Sequence, residues 1–369
     1  TSKPEFYGDY MPFIKATDIS LDSKTTLVTE QSYSKRASEK YKESLVPKGS
    51  TCVVTIGSIG KKMTYAHKDL FVNQAINAII PSPKYDNEYI YYNVKYSVLP
   101  QLKKLDSGTT SGRENVSKSS FSNIRIPIVK DKNIQHRIAS ILSTYDSLIE
   151  NNTKRIRLLE KMAENLYKEW FVRFRFPGHE NVEMENGLPK GWKRGSLSDV
   201  CEFKRGKNIT SSEMQEGNVP VISAGLEPSG YHSCSNVRGV NVTMSSSGAN
   251  AGYIAIHYSD IWAADCSYIE KSTTGNIYYV YELLNNIRTV INNFQRGAAQ
   301  PHVYPKDVNR IKLILPSKEL MLKANGRLEI MHKEIYNLQK QNSLLARQRD
   351  LLLPRLMSGK LEVKEELLE

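Results

Sequence analysis

The sequence predicts an α+β protein of two tandem α/β modules, each followed by a long helix, with the two helices pairing as an antiparallel coiled coil. Three observations predict it. An internal repeat spans most of the chain, strand-like and turn-like segments alternate inside each repeat, and a seven-residue apolar pattern runs through both helical segments.

The repeat is plainest where Ile149, Asn151 and Lys154 fall on Ile335, Asn337 and Lys340, with Leu158-Leu159 on Leu344-Leu345, an offset of 186 (340 − 154). Upstream, Phe121-Ser122-Asn123-Ile124-Arg125-Ile126 resembles Val308-Asn309-Arg310-Ile311-Lys312-Leu313 at an offset of 187 (308 − 121). Each of these strand-like stretches follows a glycine-led loop, Gly108 to Gly112 in one half and Gly297 to Pro301 in the other. Met11-Pro12-Phe13-Ile14 likewise parallels Val219-Pro220-Val221-Ile222.

The modules occupy residues 1–130 and 188–316. Runs such as Cys52–Ile56, Ala78–Ile80, Val240–Thr243 and Gly252–Ile256 are β-branched and aromatic, broken by Gly, Ser, Asn and Pro, and predict mixed sheets. Short helices are expected at Glu88–Lys103 and Ile277–Phe294. The domain boundaries that follow are 1–130 for a first module shortened at its N-terminus, 131–175 for a central helix, 176–316 for a second module with its linker, and 317–369 for a C-terminal helix and tail.

In the first long helix Ile138, Tyr145, Asn152, Leu159 and Leu166 recur every seven residues. Leu142, Ile149, Ile156, Ala163 and Trp170 form a second series, and together they make an a/d seam of about five heptads. The second seam runs through Leu328, Ile335, Asn342, Arg349 and Leu356, alternating with Ala324, Met331, Leu338, Leu345 and Leu352. Antiparallel pairing with flush ends sets Ile138 against Leu356 and Trp170 against Ala324. The same register places Asn152 and Asn342 in one layer, where two amides can hydrogen-bond and fix the register. Pro354 lacks a backbone donor, so the second helix should stop or kink near it. Such a seam makes a rod of roughly 50 Å, able to hold two modules at a set distance.

The chain has 369 residues, 51 Lys and Arg against 39 Asp and Glu, and a formal charge of +12. That surplus points towards a polyanion such as DNA or RNA. With 40% hydrophobic residues it is a folded chain, and no apolar run reaches the roughly 18 residues that cross a bilayer. The N-terminus lacks a signal-peptide profile, and its missing Met suggests a start inside a longer product. Its four cysteines are scattered without ligand spacing, which predicts buried reduced thiols and no metal.

Catalytic signatures are missing from the pattern. The sequence has neither the Asn-Pro-Pro nor the Asp-Pro-Pro motif of amino methylation, and no glycine-rich nucleotide loop after a strand. Gly57-Ser58-Ile59-Gly60-Lys61 is partly like a phosphate loop, but Thr55 and Lys62 occupy its diagnostic places, and a tight turn with a basic tip is the better reading. The candidate binding residues are instead basic and amide side chains in the modules: Lys35, Arg36, Lys61, Lys62, Arg113, Lys204, Arg205, Lys207, Asn250 and Arg296. Lys and Arg suit phosphates, while Arg and Asn can read base edges.

With these features in hand, the chain resembles the specificity subunit of type I restriction-modification systems. Leu188-Pro189-Lys190-Gly191-Trp192 is similar to the opening of that family's target-recognition domain. Gln135–Leu142 resembles its entry into the central helix, Leu158–Phe171 its exit, and Leu352–Leu361 its C-terminal ending. The resemblance implies a non-catalytic cytoplasmic subunit with two target-recognition domains reading a split double-stranded DNA site. It implies modification (methyltransferase) subunits docked on the helices, with S-adenosylmethionine expected on them and no cofactor on this chain, and restriction (endonuclease) subunits joining for cleavage. One departure is that the first half has no counterpart of residues 188–215. Two other readings stay open on the sequence: a single-chain nuclease or methyltransferase, and a coiled-coil adaptor for proteins.

Overall fold

The computed structural model describes residues 3–21, 23–108, 114–297 and 300–363. The chain divides into two compact units, one made of Thr1–Lys154 with Gln339–Glu369 and the other of Arg155–Leu338. Each unit therefore contains one α/β module and a stretch of both long helices.

In the first unit, strand Tyr7–Ile14 pairs antiparallel with Gln31–Tyr33 and parallel with Phe71–Val72. A second sheet sets Thr51–Val54 between Met63–Tyr65 and Ile76–Ile79, all antiparallel. The first of these sheets is thus mixed, as the sequence predicts, while the second is antiparallel throughout. All four residues of Thr51–Val54 are buried, because both faces of this strand are covered. The module helix begins at Asn87–Asn93, where the Asp86 side chain accepts from the Tyr89 N–H at 2.8 Å. It widens into a π turn at Val94–Val98, just ahead of Pro100, which cannot donate to the helical ladder.

The second unit repeats this plan. Val219–Ile222 pairs antiparallel with Gly230–His232 and parallel with Trp262–Ala263. Asn241–Ser245 lies between Ile254–His257 and Cys266–Glu270. The segment before these strands adds two more edges: Lys204–Arg205 pairs with Cys266–Glu270, and Lys193–Ser196 pairs with Lys312–Leu315. Leu197, Cys201 and Phe203 from this segment enter the core.

The first unit lacks these two pairings among the described residues. The strand expected over Phe121–Ile126 is absent there. Ser117 caps a short helix, Lys118–Ser122, by accepting from the Ser120 N–H, and the chain that follows has no neighbouring strand to pair with. A β-ladder needs two edges, so the same local sequence forms a strand only where a partner is present.

The long helices run from Lys132 to Tyr167 and from Lys318 to Met357, started by the side chains of Asp131 and Ser317. The second helix carries Pro354 in its last turn and ends three residues later. In the first unit Ile138, Ala139 and Leu142 share a buried cluster with Leu353, Leu356 and Met357. In the second, Ala163, Tyr167 and Trp170 share one with Met321, Ala324 and Leu328. Both clusters fit the antiparallel register read from the heptads.

The two seam asparagines do not hydrogen-bond to each other among the recorded bonds. The Asn152 amide donates to Gln341 Oε1 at 3.4 Å, and the Asn342 amide to Thr153 Oγ1 at 3.3 Å. Each reaches the residue beside the other's position, a stagger that leaves Asn342 Oδ1 buried without a partner. Of the cysteines, Cys52, Cys201 and Cys266 are buried thiols, the burial raising each to about 12, whereas Cys234 is exposed. The described residues contain no cluster able to hold a metal ion and no helix long and apolar enough to cross a membrane.

Candidate nucleic-acid interface

One loop arrangement is built twice. In the first unit the turn after strand Thr51–Val54 is braced to the residues that follow the glycine-led loop. The Gly57 N–H donates to the Glu114 carbonyl at 2.9 Å, the Val116 N–H donates to the Thr55 carbonyl at 2.8 Å, and Ile56 bridges Asn115. In the second unit the Gly248 N–H donates to the Pro301 carbonyl at 2.9 Å, the Val303 N–H to the Ser246 carbonyl at 3.0 Å, and Ser247 bridges His302. Gly57 and Gly248 both hold left-handed backbone, at φ 88° and 75°, where a side chain would be strained.

Each brace has its own local support. In the first unit Asp106 Oδ1 accepts from the Asn115 N–H at 2.7 Å and the Gly108 N–H at 2.9 Å, and these bonds hold its carboxyl below the usual carboxylate range. In the second, Arg296 and His302 exchange both backbone hydrogen bonds, at 2.9 and 2.8 Å. The Ser247 hydroxyl donates to Asp265 Oδ2 at 2.6 Å, and the Arg296 guanidinium pairs with Asp307 at 2.9 Å.

The brace gathers some of the candidate residues. Lys61 sits exposed on the braced turn of the first unit, while the Lys62 ammonium is turned aside to the Ala16 carbonyl at 3.1 Å. Asn250 and Arg296 belong to the braced loops of the second unit. Arg113 lies outside the described residues. Other candidates sit on separate elements. Lys35 and Arg36 open the helix Lys35–Lys40, with Arg36 facing Glu5 at 3.6 Å. Lys204 and Arg205 lie on an edge strand, Lys204 facing Glu270 at 3.5 Å, and the Lys207 carbonyl accepts from the Trp262 indole at 2.9 Å. Asn115 and His302 stand at equivalent places in the brace; the sequence offers Asn115 in its basic and amide cluster Arg113-Glu114-Asn115, but His302 was missed. The offset of 187 that joins Val116 to Val303 also joins these two, so the repeat contained the signal.

The same construction in both halves, with different side chains at matched positions, is what a duplicated recognition element looks like, and comparison with known proteins agrees. The family described as type I restriction modification DNA specificity domain matches residues 1–161 and again residues 189–342. The chain belongs to this family. It is 26% identical to the type I restriction enzyme MjaIX specificity subunit of Methanocaldococcus jannaschii, over 99% of this chain and 90% of that protein. A putative type I specificity subunit of Mycoplasma genitalium is also 26% identical, over 84% of this chain and 81% of its own length. The crystal structure of a type I S subunit from M. genitalium superposes with a TM-score of 0.60 at 22% identity, covering 96% of this chain and 91% of that one, which shows a shared fold. As a specificity subunit the protein is a recognition component and not the catalyst of its system.

Proposed function

We propose that this specificity subunit reads a split double-stranded DNA site, one half-site per module, inside a cytoplasmic type I complex. The observation that supports this most directly is the twice-built brace: its backbone geometry is common to both units, while Asn115 and His302 at its matched position differ. A shared scaffold with unlike side chains suits two half-sites of unlike sequence. The candidate DNA contacts are the exposed Lys61, Arg296, Arg205 and Lys207, with the half-buried Asn250 on the braced loop. Domain boundaries at 130, 175 and 316 separate what reads DNA from what spaces and docks.

The long helices, of 36 and 40 residues, serve as spacer and as the docking surface for modification subunits, which carry S-adenosylmethionine and the methyl-transfer chemistry. Support for docking is the apolar surface that the pairing leaves uncovered: Leu148, Leu344 and Leu351 in the first unit, and Leu158, Met162, Leu322 and Ile330 in the second, are all exposed. Restriction subunits would join the same assembly.

The test is selection from randomised duplex DNA with the chain bound to its modification subunits, repeated after inserting one heptad into both helices. Two short motifs at a fixed gap are expected, and the insertion should lengthen the gap without changing either motif. An unchanged gap overturns the spacer role, and failure to enrich any motif overturns the recognition role.

A further inference from the structure

The braced turn of the first unit lies against the end of its module helix, and the contact is unusually close. Gly60 has φ 69°, and a Cβ there would stand 3.0 Å from the Leu99 carbonyl oxygen and 3.5 Å from Lys103 Cγ. Only glycine permits this approach. On either side Ile59 and Leu102 are fully buried in the same core cluster, so neither the turn nor the helix end can drift. The result is that Lys61, next to Gly60, lies beside the 3-10 turn Lys103–Leu105.

Lys61, Lys103 and Lys104 are exposed, and none has an ion pair among the described residues. The carboxylates of these loops are Asp106, occupied by two backbone N–H groups, and Glu114. Three free ammonium groups on a rigid platform make a site for an anion, and lysine is a point charge that attracts a phosphate without reading a base. At the corresponding turn of the second unit the charge is an arginine held on an aromatic ring, the Arg288 guanidinium lying 5.0 Å from the centroid of Tyr253. There Gly252 packs against the Asn292 side chain, 2.9 Å from where its Cβ would be, with Asn293 following.

We propose that Lys61, Lys103 and Lys104 form a phosphate-backbone anchor for duplex DNA in the first unit. The inference rests on the DNA-recognition reading above and deepens it by naming side chains that hold the DNA backbone without reading its bases. Lys103 and Lys104 act on the phosphodiester charge alone, so they affect affinity for every sequence equally.

The experiment is fluorescence anisotropy of the intact chain with a labelled duplex of random sequence, titrated across a range of salt concentrations. Log affinity against log salt has a slope of about −0.9 per neutralised phosphate. Replacing all three lysines by Gln should therefore reduce the magnitude of the slope by about 2.7, whereas replacing all three by Arg should retain it. Asn292→Lys with Asn293→Lys should steepen it by up to about 1.8. Wild-type binding with an unchanged slope in the Gln variant overturns the anchor and leaves DNA recognition standing. A wild-type chain whose DNA binding shows no salt dependence overturns both.

Discussion

The two units attach their module helix to the long helices through buried polar groups, and they do so with different chemistry. In the first unit the Tyr92 hydroxyl donates to Asp146, which also pairs with Arg349, and all three are buried. In the second, His332 presents Nε2 to Glu282 at 3.2 Å and Nδ1 to the Tyr258 hydroxyl at 2.9 Å. Asp146 and His332 are 186 residues apart (332 − 146), the offset of the helix repeat. Tyr92 and Glu282 each lie six residues past their helix caps, Asp86 and Asn276. A tyrosine–carboxylate pair in one unit therefore stands where a carboxylate–imidazole pair stands in the other. The duplication preserved the need for a satisfied buried bond and let the groups that satisfy it change. The first unit also buries a full positive charge, Arg349, whereas the second can meet its bonds with a neutral imidazole whose Nε2–H donates and whose Nδ1 accepts.

This difference predicts unequal responses to matched substitutions. Asp146→Asn leaves the buried Arg349 guanidinium with only the exposed Asp350 carboxylate, at 2.9 Å, as its anion and should destabilise the first unit by about 3 kcal/mol. Glu282→Gln keeps an acceptor for His332 and should cost the second unit about 1 kcal/mol. Urea unfolding of the two variants checks the order, and equal losses would break the comparison. Replacing Tyr92, Asp146 and Arg349 together by Phe, Leu and Met should recover much of the loss, since an apolar set has no buried charge to compensate.

The pH response is a second point of comparison, since burial lowers a histidine in each unit, His67 being the one in the first. Burial lowers the His257 imidazole in the second unit to about 4, beside the Thr243 hydroxyl at 2.9 Å. A histidine that folds neutral binds its proton more tightly when unfolded. Its contribution is therefore complete above the unfolded value near 6.5 and is lost as the pH falls towards 4. The second unit should lose about 2–3 kcal/mol over that window, and His257→Gln should flatten the dependence, read from unfolding midpoints at neutral and acidic pH.

The smallest of these effects sharpens the comparison of sheet edges. A Cβ on Gly195 would stand 2.4 Å from Leu315 Cδ1 and 2.7 Å from Asp199 Oδ2, in the pairing of Lys193–Ser196 with Lys312–Leu315. Gly195→Val should destabilise the second unit by about 1–3 kcal/mol. Ile126→Val in the first unit, where the described residues provide no paired strand, should change its stability by much less, and thermal unfolding of both variants tests this.

Much of the fold was legible in the sequence because its signals are periodic. A heptad pattern sustained over two long segments marks both as coiled-coil helices, and a repeat with a constant offset assigns equivalent elements in both halves. The seam misled only where a polar group enters it. Arg349 was readable as a seam position, but its partner Asp146 sits one residue beside the predicted seam position Tyr145 and depends on Tyr92 from the module to complete its bonds.

The candidate interface was only partly legible. Charge and glycine content selected Lys61, Asn250 and Arg296, which lie on the brace, and equally Lys35, Arg36 and Lys204, which lie on other elements, Arg36 facing Glu5 and Lys204 facing Glu270. Lys103 and Lys104 carried no mark in the sequence, because their place beside Lys61 depends on Gly60 meeting a helix end some forty residues away in the chain.

The sequence by itself determined the duplication, the two heptad seams, the α/β make-up of the modules and the absence of a recognisable catalytic motif, since each is a local or periodic property of residue types. Only the tertiary structure decided which basic side chains share a surface, how the seam asparagines find partners, and where the Ile126 region fails to become a strand. Those outcomes depend on contacts between segments distant in the chain, and a hydrogen bond or an ion pair exists only when folding brings both of its ends together.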